Sequence, residues 1–393
     1  MTSETSEASA RAPYLDHHAT TPLDDRVREA MAPYLGAEFG NAASATHAYG
    51  WRAEAAVELA RESIAEQLAA DPSEIVFTSG ATESNNLAIL GLADAASEPG
   101  HVVTVATEHP SVLDPCRALA RRGWAVTELP VDAEGRITPD EVDAALRDDT
   151  RLVTVMAANN EIGVLAPIEA IAERCHARAV VFHTDAAQAA GKIALDCAAQ
   201  GLDLLSVSGH KVYGPKGVGV LRVRRRGMPR VRLEPRQFGG GHEGGLRSGT
   251  LPVALVVGLG KALEIAADER ESEAMRLAAL RDGMWKELEA RLAGGVRSNG
   301  ARAPRLPGNL NVSFDGIDAD RLLADLGGLA VSSGSACSSA TSEPSHVLLA
   351  LGLGPALAKA SLRVGLGRGN TQEDVTLAVD RIVAAVEGQR TGA

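Results

Sequence analysis

"LDLLSVSGHKVYGPKG", residues 202–217, runs from an apolar stretch of strand length into a turn rich in glycine and proline, with one lysine, Lys211, just past the junction. That reading puts Lys211 at the C-terminal edge of a strand, where open α/β sheets bind their ligands. Upstream the same grammar repeats. "WRAEAAVELARESIAEQLAA" from Trp51 has helical spacing, "EIVFT" reads as a strand, "TESNNLAILGLADA" as a helix and "HVVTVAT" as a strand. "SVLDPCRALARR", "AVTEL", "RLVTVMA", "IEAIAERCHA" and "AVVFHTD" continue the alternation. Strands that are apolar throughout, separated by helices, predict a largely parallel sheet covered on both faces.

From Val253 to about Leu292 the pattern is helical, and "RSNGARAPRLPG" then breaks it. Beyond the break, "NLNVSF", "LAVSS" and "ASLRVGLG" read as strands among short helices, and a last helix opens on the capping-box pattern "TQED" at Thr371–Asp374. The expected organisation is a flexible tail over 1–13 and a large α/β domain over 14–265, its first residues packing on the small domain. A smaller α+β domain follows over 266–393, with the boundary inside the long helix.

The totals suit a globular chain: 393 residues, 45% hydrophobic, 23% charged, with a formal net charge of −12. The acidic balance argues against nucleic acid and anionic membrane as partners, and the basic run "RVRRRG" at Arg222–Gly227 reads as a solvated strand end. No stretch has the length and apolarity of a membrane span, and the polar N-terminus lacks a signal-peptide core. Four cysteines without CxxC spacing imply neither a disulfide scaffold nor a metal site, which points to a reducing, cytoplasmic setting. "DHH" at Asp16–His18 is a weak metal cue that reads better as hydrogen bonding.

Four further loops fall at predicted strand ends. "SGATESNN" offers Ser79, Gly80, Ala81 and Thr82 as an anion nest where a helix begins. "TEHPSV" supplies His109, "ANNEIG" supplies Asn159, Asn160 and Glu161, and "FHTDAAQ" supplies Asp185 and Gln188. Each has an ordinary structural reading: His109 as a helix-entry residue, Asp185 as an N-cap, Asn160 as a turn former. Converging on one sheet edge with Lys211, they meet the requirements of pyridoxal phosphate, which needs a lysine for a Schiff base and an acid for its pyridinium nitrogen. A dinucleotide-binding oxidoreductase fits less well, because "GGGHEGG" neither follows a clear strand nor opens a helix.

The motifs "YLDHHATTP", "GNAASATHAYG", "FTSGATESNN", "TEHPSVL", "NNEIGV", "DAAQAAGK", "SGHKVYGPKG", "GGGHEGGLRSGT" and "SSGSACSS" resemble, in order, the cysteine desulfurases of the class V aminotransferase group, of the NifS and IscS type. The resemblance implies a homodimer of the aspartate-aminotransferase fold, fold type I, with a mainly parallel seven-stranded sheet. It also implies pyridoxal 5'-phosphate on Lys211, Asp185 on the pyridine nitrogen, Gln188 on the phenolic oxygen and His109 stacked on the ring, moving protons. Ala81, Thr82, Ser208 and His210 would hold the phosphate, with Thr250 reaching across from the other subunit. Asn160 would lie over cofactor and substrate, and Arg363 would clamp the substrate carboxylate, which suits a planar bidentate donor.

Cys337 lies among small polar residues, "SSGSACSSATSEPS", whereas Cys116, Cys175 and Cys197 sit in helical or helix-adjacent stretches. A loop thiol can reach, ionise and react. The implied reaction converts L-cysteine to L-alanine: Lys211 removes the Cα proton, the Cys337 thiolate attacks the substrate sulfur, and a persulfide passes to a protein acceptor. A selenocysteine lyase or another amino-acid β-lyase would share Lys211 and Asp185 with less need of Cys337. A non-catalytic sulfur carrier or scaffold would keep the fold and make no alanine. The chain ends soon after its last helix, where housekeeping relatives extend further to dock an iron–sulfur scaffold. Iron–sulfur assembly and thio-compound synthesis therefore both stay open as destinations.

Overall fold

The computed structural model describes residues 12–292, 294–333 and 343–392. Its centre is a sheet of seven strands: β1 (Ile75–Thr78), β2 (His101–Val105), β3 (Ala125–Leu129), β4 (Thr150–Thr154), β5 (Val181–Asp185), β6 (Leu204–Ser208) and β7 (Gly219–Val223). They lie in the order β1-β7-β6-β5-β4-β2-β3. β7 is antiparallel to both its neighbours and the other pairings are parallel, so six of the seven strands point one way. The C-terminal ends of β1, β2, β4, β5 and β6 consequently share one edge. The sheet is mixed α/β and mostly parallel, as expected.

Alternation along the strands covers both faces. Val103, Val153, Phe182, Leu205 and Val220 join one buried cluster, and their neighbours Val102, Leu152, Val181, Leu204 and Leu221 join the other. A period of two on strands with helices on either side gives this division. β7 enters where only a glycine fits: a Cβ on Gly219 would stand 2.4 Å from the Val207 carbonyl oxygen and 2.6 Å from the Gly80 Cα.

A second, antiparallel sheet has the order β10-β11-β9-β8, from β8 (Val296–Ser298), β9 (Asn309–Phe314), β10 (Ser332–Ser333) and β11 (Ser361–Gly365). The helix Val253–Arg291 joins the two cores. Its residues from Val253 to Ala266 pack in the large cluster, and Leu280, Met284 and Leu288 pack in the cluster of the second sheet with Leu15. The final helix, Gln372–Thr391, opens on the reciprocal Thr371–Asp374 capping box read from the sequence.

The basic run differs from its reading as a solvated strand end. Arg222 belongs to β7, is buried, and pairs with the buried Glu74 at 2.7 Å, while Arg224 pairs with Asp203. Alternation turns Arg222 inward, and Glu74, fixed by the capping box of Asp71, is there to meet it. Replacing Glu74 with Gln leaves that guanidinium buried without its counter-charge. The expected cost is about 3 kcal/mol, read as a lower urea midpoint with an unchanged slope.

Candidate active site

Five loops from the shared edge, the segment 18–20 and one residue of β11 enclose a cavity of about 540 Å³. Ala81, Thr82, His109, Asn160, Asp185, Gln188, Ser208, His210, Lys211 and Arg363 all line it. Thr250 does not line it and is exposed on the surface. Cys337 lies outside the described residues, although Ser332 and Ser345 on either side of it are described.

Lys211 ends a short 3-10 turn after β6, and its Nζ donates to the backbone oxygens of His18 (2.6 Å) and Ala19 (2.8 Å). Asp185, the last residue of β5, is held at both oxygens: Ala187 N–H donates to Oδ1 (2.8 Å) and Asn85 Nδ2 to Oδ2 (2.7 Å). Asn85 also donates to Ser111 Oγ at 2.9 Å. His109 is the N-cap of the helix Pro110–Arg121, its Nδ1 accepting from Ser111 N–H (3.1 Å) with Ser111 Oγ at 2.8 Å. The structural and the functional readings of His109 thus coexist, since capping uses Nδ1. Burial lowers the His109 pKa, and the nearby Asp185 partly offsets this.

At the other end, the helix Ala81–Asp94 begins without a side-chain cap, so its first N–H groups and Thr82 face the cavity beside Ser208 and His210. Burial, and then Lys211 and Lys216, hold His210 down to about 4, leaving a neutral ring with Nδ1 3.1 Å from Thr20 Oγ1. Uncapped N–H groups, hydroxyls and two lysines make an end fitted to a phosphate.

Arg363 is buried on β11. It donates to Asp16 Oδ1 (2.8 Å), the Asn160 carbonyl oxygen (3.0 Å) and Ser332 Oγ (3.2 Å), and its Nε has no partner. Asn159 serves as the turn former: its Oδ1 accepts from Glu161 and Ile162 N–H, while Asn160 lines the cavity. His17 and His18 hydrogen-bond to the Gly365 oxygen and to Gln188, and no cluster of metal-ligating side chains occurs among the described residues. Sequence reading missed Asp16, His18, Asn85, Ser111 and Lys192. All lie inside quoted motifs, and "DHH" reads as a hydrogen-bonding stretch, but the site partners of Asp16, His18 and Asn85 are distant in sequence, so no local pattern assigns them to the cavity.

The remaining cysteines are packing residues. Cys116, Cys175 and Cys197 are buried, and burial pushes each thiol up to about 12. Glu161 is also buried, accepts from Ser345 Oγ, and is pushed up to about 7 by burial. The folded chain therefore keeps a proton that the unfolded chain releases near 4.5, and Glu161 contributes stability at acid pH that is lost as pH rises toward 7. Between those values wild type should lose on the order of 2–3 kcal/mol relative to Glu161→Gln in urea titrations. Parallel pH profiles would show that this carboxyl titrates normally.

The family described as Aminotransferase class-V matches residues 13–377. "Cysteine desulfurase IscS" of Vibrio vulnificus (strain CMCP6) is 52% identical over 384 residues, covering 96% of this chain and 93% of its own. A solved structure described as "NIFS-LIKE PROTEIN" superposes with a TM-score of 0.88 at 34% identity, covering 96% of this chain and 99% of its own. Another, "SspA in complex with cysteine", gives 0.78 at 39% identity over 90% and 98%. No helix among the described residues is long and apolar enough to cross a membrane.

Proposed function

The chain belongs to the class V aminotransferase family and is a cysteine desulfurase, and from that premise we propose that its cavity binds pyridoxal phosphate and L-cysteine and passes sulfur to an acceptor through Cys337. The observation that carries this reading is the convergence of Lys211, Asp185, His109, Gln188, Arg363 and an anion nest on one cavity. When bound, the cofactor supplies a cationic ring that withdraws charge from the Cα of an attached amino acid. The residues present fit that group: a lysine, a buried carboxylate and a phosphate-binding end line the same space.

Asp185, with both oxygens fixed, would hold a proton on the ring nitrogen, and Gln188 would donate to the phenolic oxygen. Lys211 Nζ, kept in place by two carbonyls, would hold the cofactor and is the base placed to take the substrate's Cα proton. His109 would pack on the ring and could move protons through the nitrogen that does not cap its helix. Ala81, Thr82, Ser208 and His210 would hold the phosphate, with the partner subunit's Thr250. Asn160 would lie beside the ring, and the Arg363 guanidinium would take the substrate carboxylate by sharing its present bond to Asp16.

The Cys337 thiolate would then bond to the substrate sulfur as the C–S pair passes to the carbon fragment, which takes up a proton and leaves as alanine while a persulfide stays on the enzyme. A homodimer belongs to the same proposal, supported by Leu35, Phe39, Trp51 and Phe238, which are 56–82% exposed. So do a cytoplasmic location, delivery to iron–sulfur or thio-compound synthesis, and a domain division near residue 265, where the long helix passes between two buried clusters.

The test is L-alanine formed from L-cysteine by the purified protein and by Cys337→Ala, with and without added thiol. Alanine from wild type and only background from the variant is expected. Equal rates would make the enzyme a direct lyase, and no alanine from either would make it a carrier.

A further inference from the structure

Lys192 follows the motif residue Gln188 by one helical turn's worth of sequence, yet its environment is unlike that of a surface lysine. The turn that presents it is tight: Gly191 has φ +73°, and a Cβ there would stand 2.4 Å from Val212 Cγ2 and 2.8 Å from Ala266 Cβ. Among the described residues Lys192 Nζ donates to Gln188 Oε1 at 3.0 Å and forms no ion pair with a carboxylate. Burial, with Lys211 and Arg363 adding positive charge, lowers its pKa to about 7. The side chain as a whole is only partly buried, but its amine sits between Gln188 and the positive charge of Lys211 and Arg363, and an amine held among like charges is characteristic of working sites.

The rest of the network explains what the amine does. Gln188 Oε1 also lies 3.2 Å from His18 Nδ1, and Gln188 Nε2 donates to the His18 carbonyl oxygen at 2.8 Å. Burial holds His18 far below its usual pKa, so its ring is neutral, and a donor at Nδ1 leaves Nε2 bare, the atom that has no partner. Two donors on Oε1 and an acceptor on one N–H leave the second N–H of Gln188 for the cavity. The same His18 oxygen accepts from Lys211 Nζ, so Lys192, Gln188 and Lys211 are linked through one carbonyl.

We propose that Lys192 is a positioning residue that fixes the Gln188 carboxamide with its N–H toward the cavity, setting how the bound cofactor's phenolic oxygen is held. The inference rests on the assignment of Gln188 to that oxygen. Lys192→Met keeps the stem and removes the donor, Lys192→Gln keeps a donor without the charge, and Gln188→Ala removes the group acted upon. Each variant is reconstituted with pyridoxal phosphate at one pH, and affinity, the position of the cofactor's visible absorption band and the melting temperature are recorded.

Lys192→Met should weaken cofactor binding about tenfold and shift the band. Lys192→Gln should restore both to within about twofold, and Lys192→Met should add nothing in the Gln188→Ala background. Wild-type behaviour of Lys192→Met, additive losses in the double variant, or a loss in Lys192→Gln equal to that in Lys192→Met would each overturn the proposal. Should Lys192→Met not fold, a tenfold loss in Lys192→Gln overturns it by itself. An unchanged spectrum in Gln188→Ala would instead remove the Gln188 assignment and the proposal with it, and a wild type that binds no pyridoxal phosphate would remove the functional reading.

Discussion

One short segment, residues 14–21, ties the two sheets together and holds two of the cavity's cations, Lys211 and Arg363. Tyr14 and Asp16 form bridges to Ala330 and Gly365, and Leu15 is buried in the core of the second sheet. Asp16 holds Arg363, the carbonyls of His18 and Ala19 hold Lys211, and Thr21 donates from both its N–H and its hydroxyl to the His210 oxygen. Each such bond contributes only about 1 kcal/mol net. Their joint effect is positional: the lysine comes from one sheet and the arginine from the other, and the segment sets the distance between them.

The charge in the cavity follows from burial. His17 and His210 are held down to about 4, and His18 well below its usual value, in each case first by desolvation. These rings are neutral hydrogen-bonding groups, so the positive charge resides on Lys211, Lys216 and Arg363. A cavity with its cations at the phosphate end and at β11, and a fixed carboxylate at β5, is polarised for a ligand with two separated anionic groups and a basic nitrogen.

Much of this was legible in the sequence because it is local. Apolar runs ending in "SGHK", "TSGAT" and "HTDAAQ" mark strand ends, and a parallel sheet puts strand ends together without further information. The capping box at Thr371–Asp374 is readable for the same reason. What was not legible depends on pairs far apart in the chain. Arg222 looks like part of a solvated basic run until β7 lies beside Glu74, 148 positions earlier. Asp16 likewise acquires its meaning only when Arg363, 347 positions later, is beside it, and no spacing rule spans such an interval.

The three packed cysteines bear on the fate of sulfane sulfur. With thiols raised to about 12, roughly one in 10⁵ is ionised at neutral pH, and exchange at sulfur requires the ionised form. Cys116, Cys175 and Cys197 are also enclosed on all sides. These three thiols are therefore poor acceptors of sulfane sulfur, and the packed interior supplies none of the ready exchange partners that an exposed, ionisable thiol would.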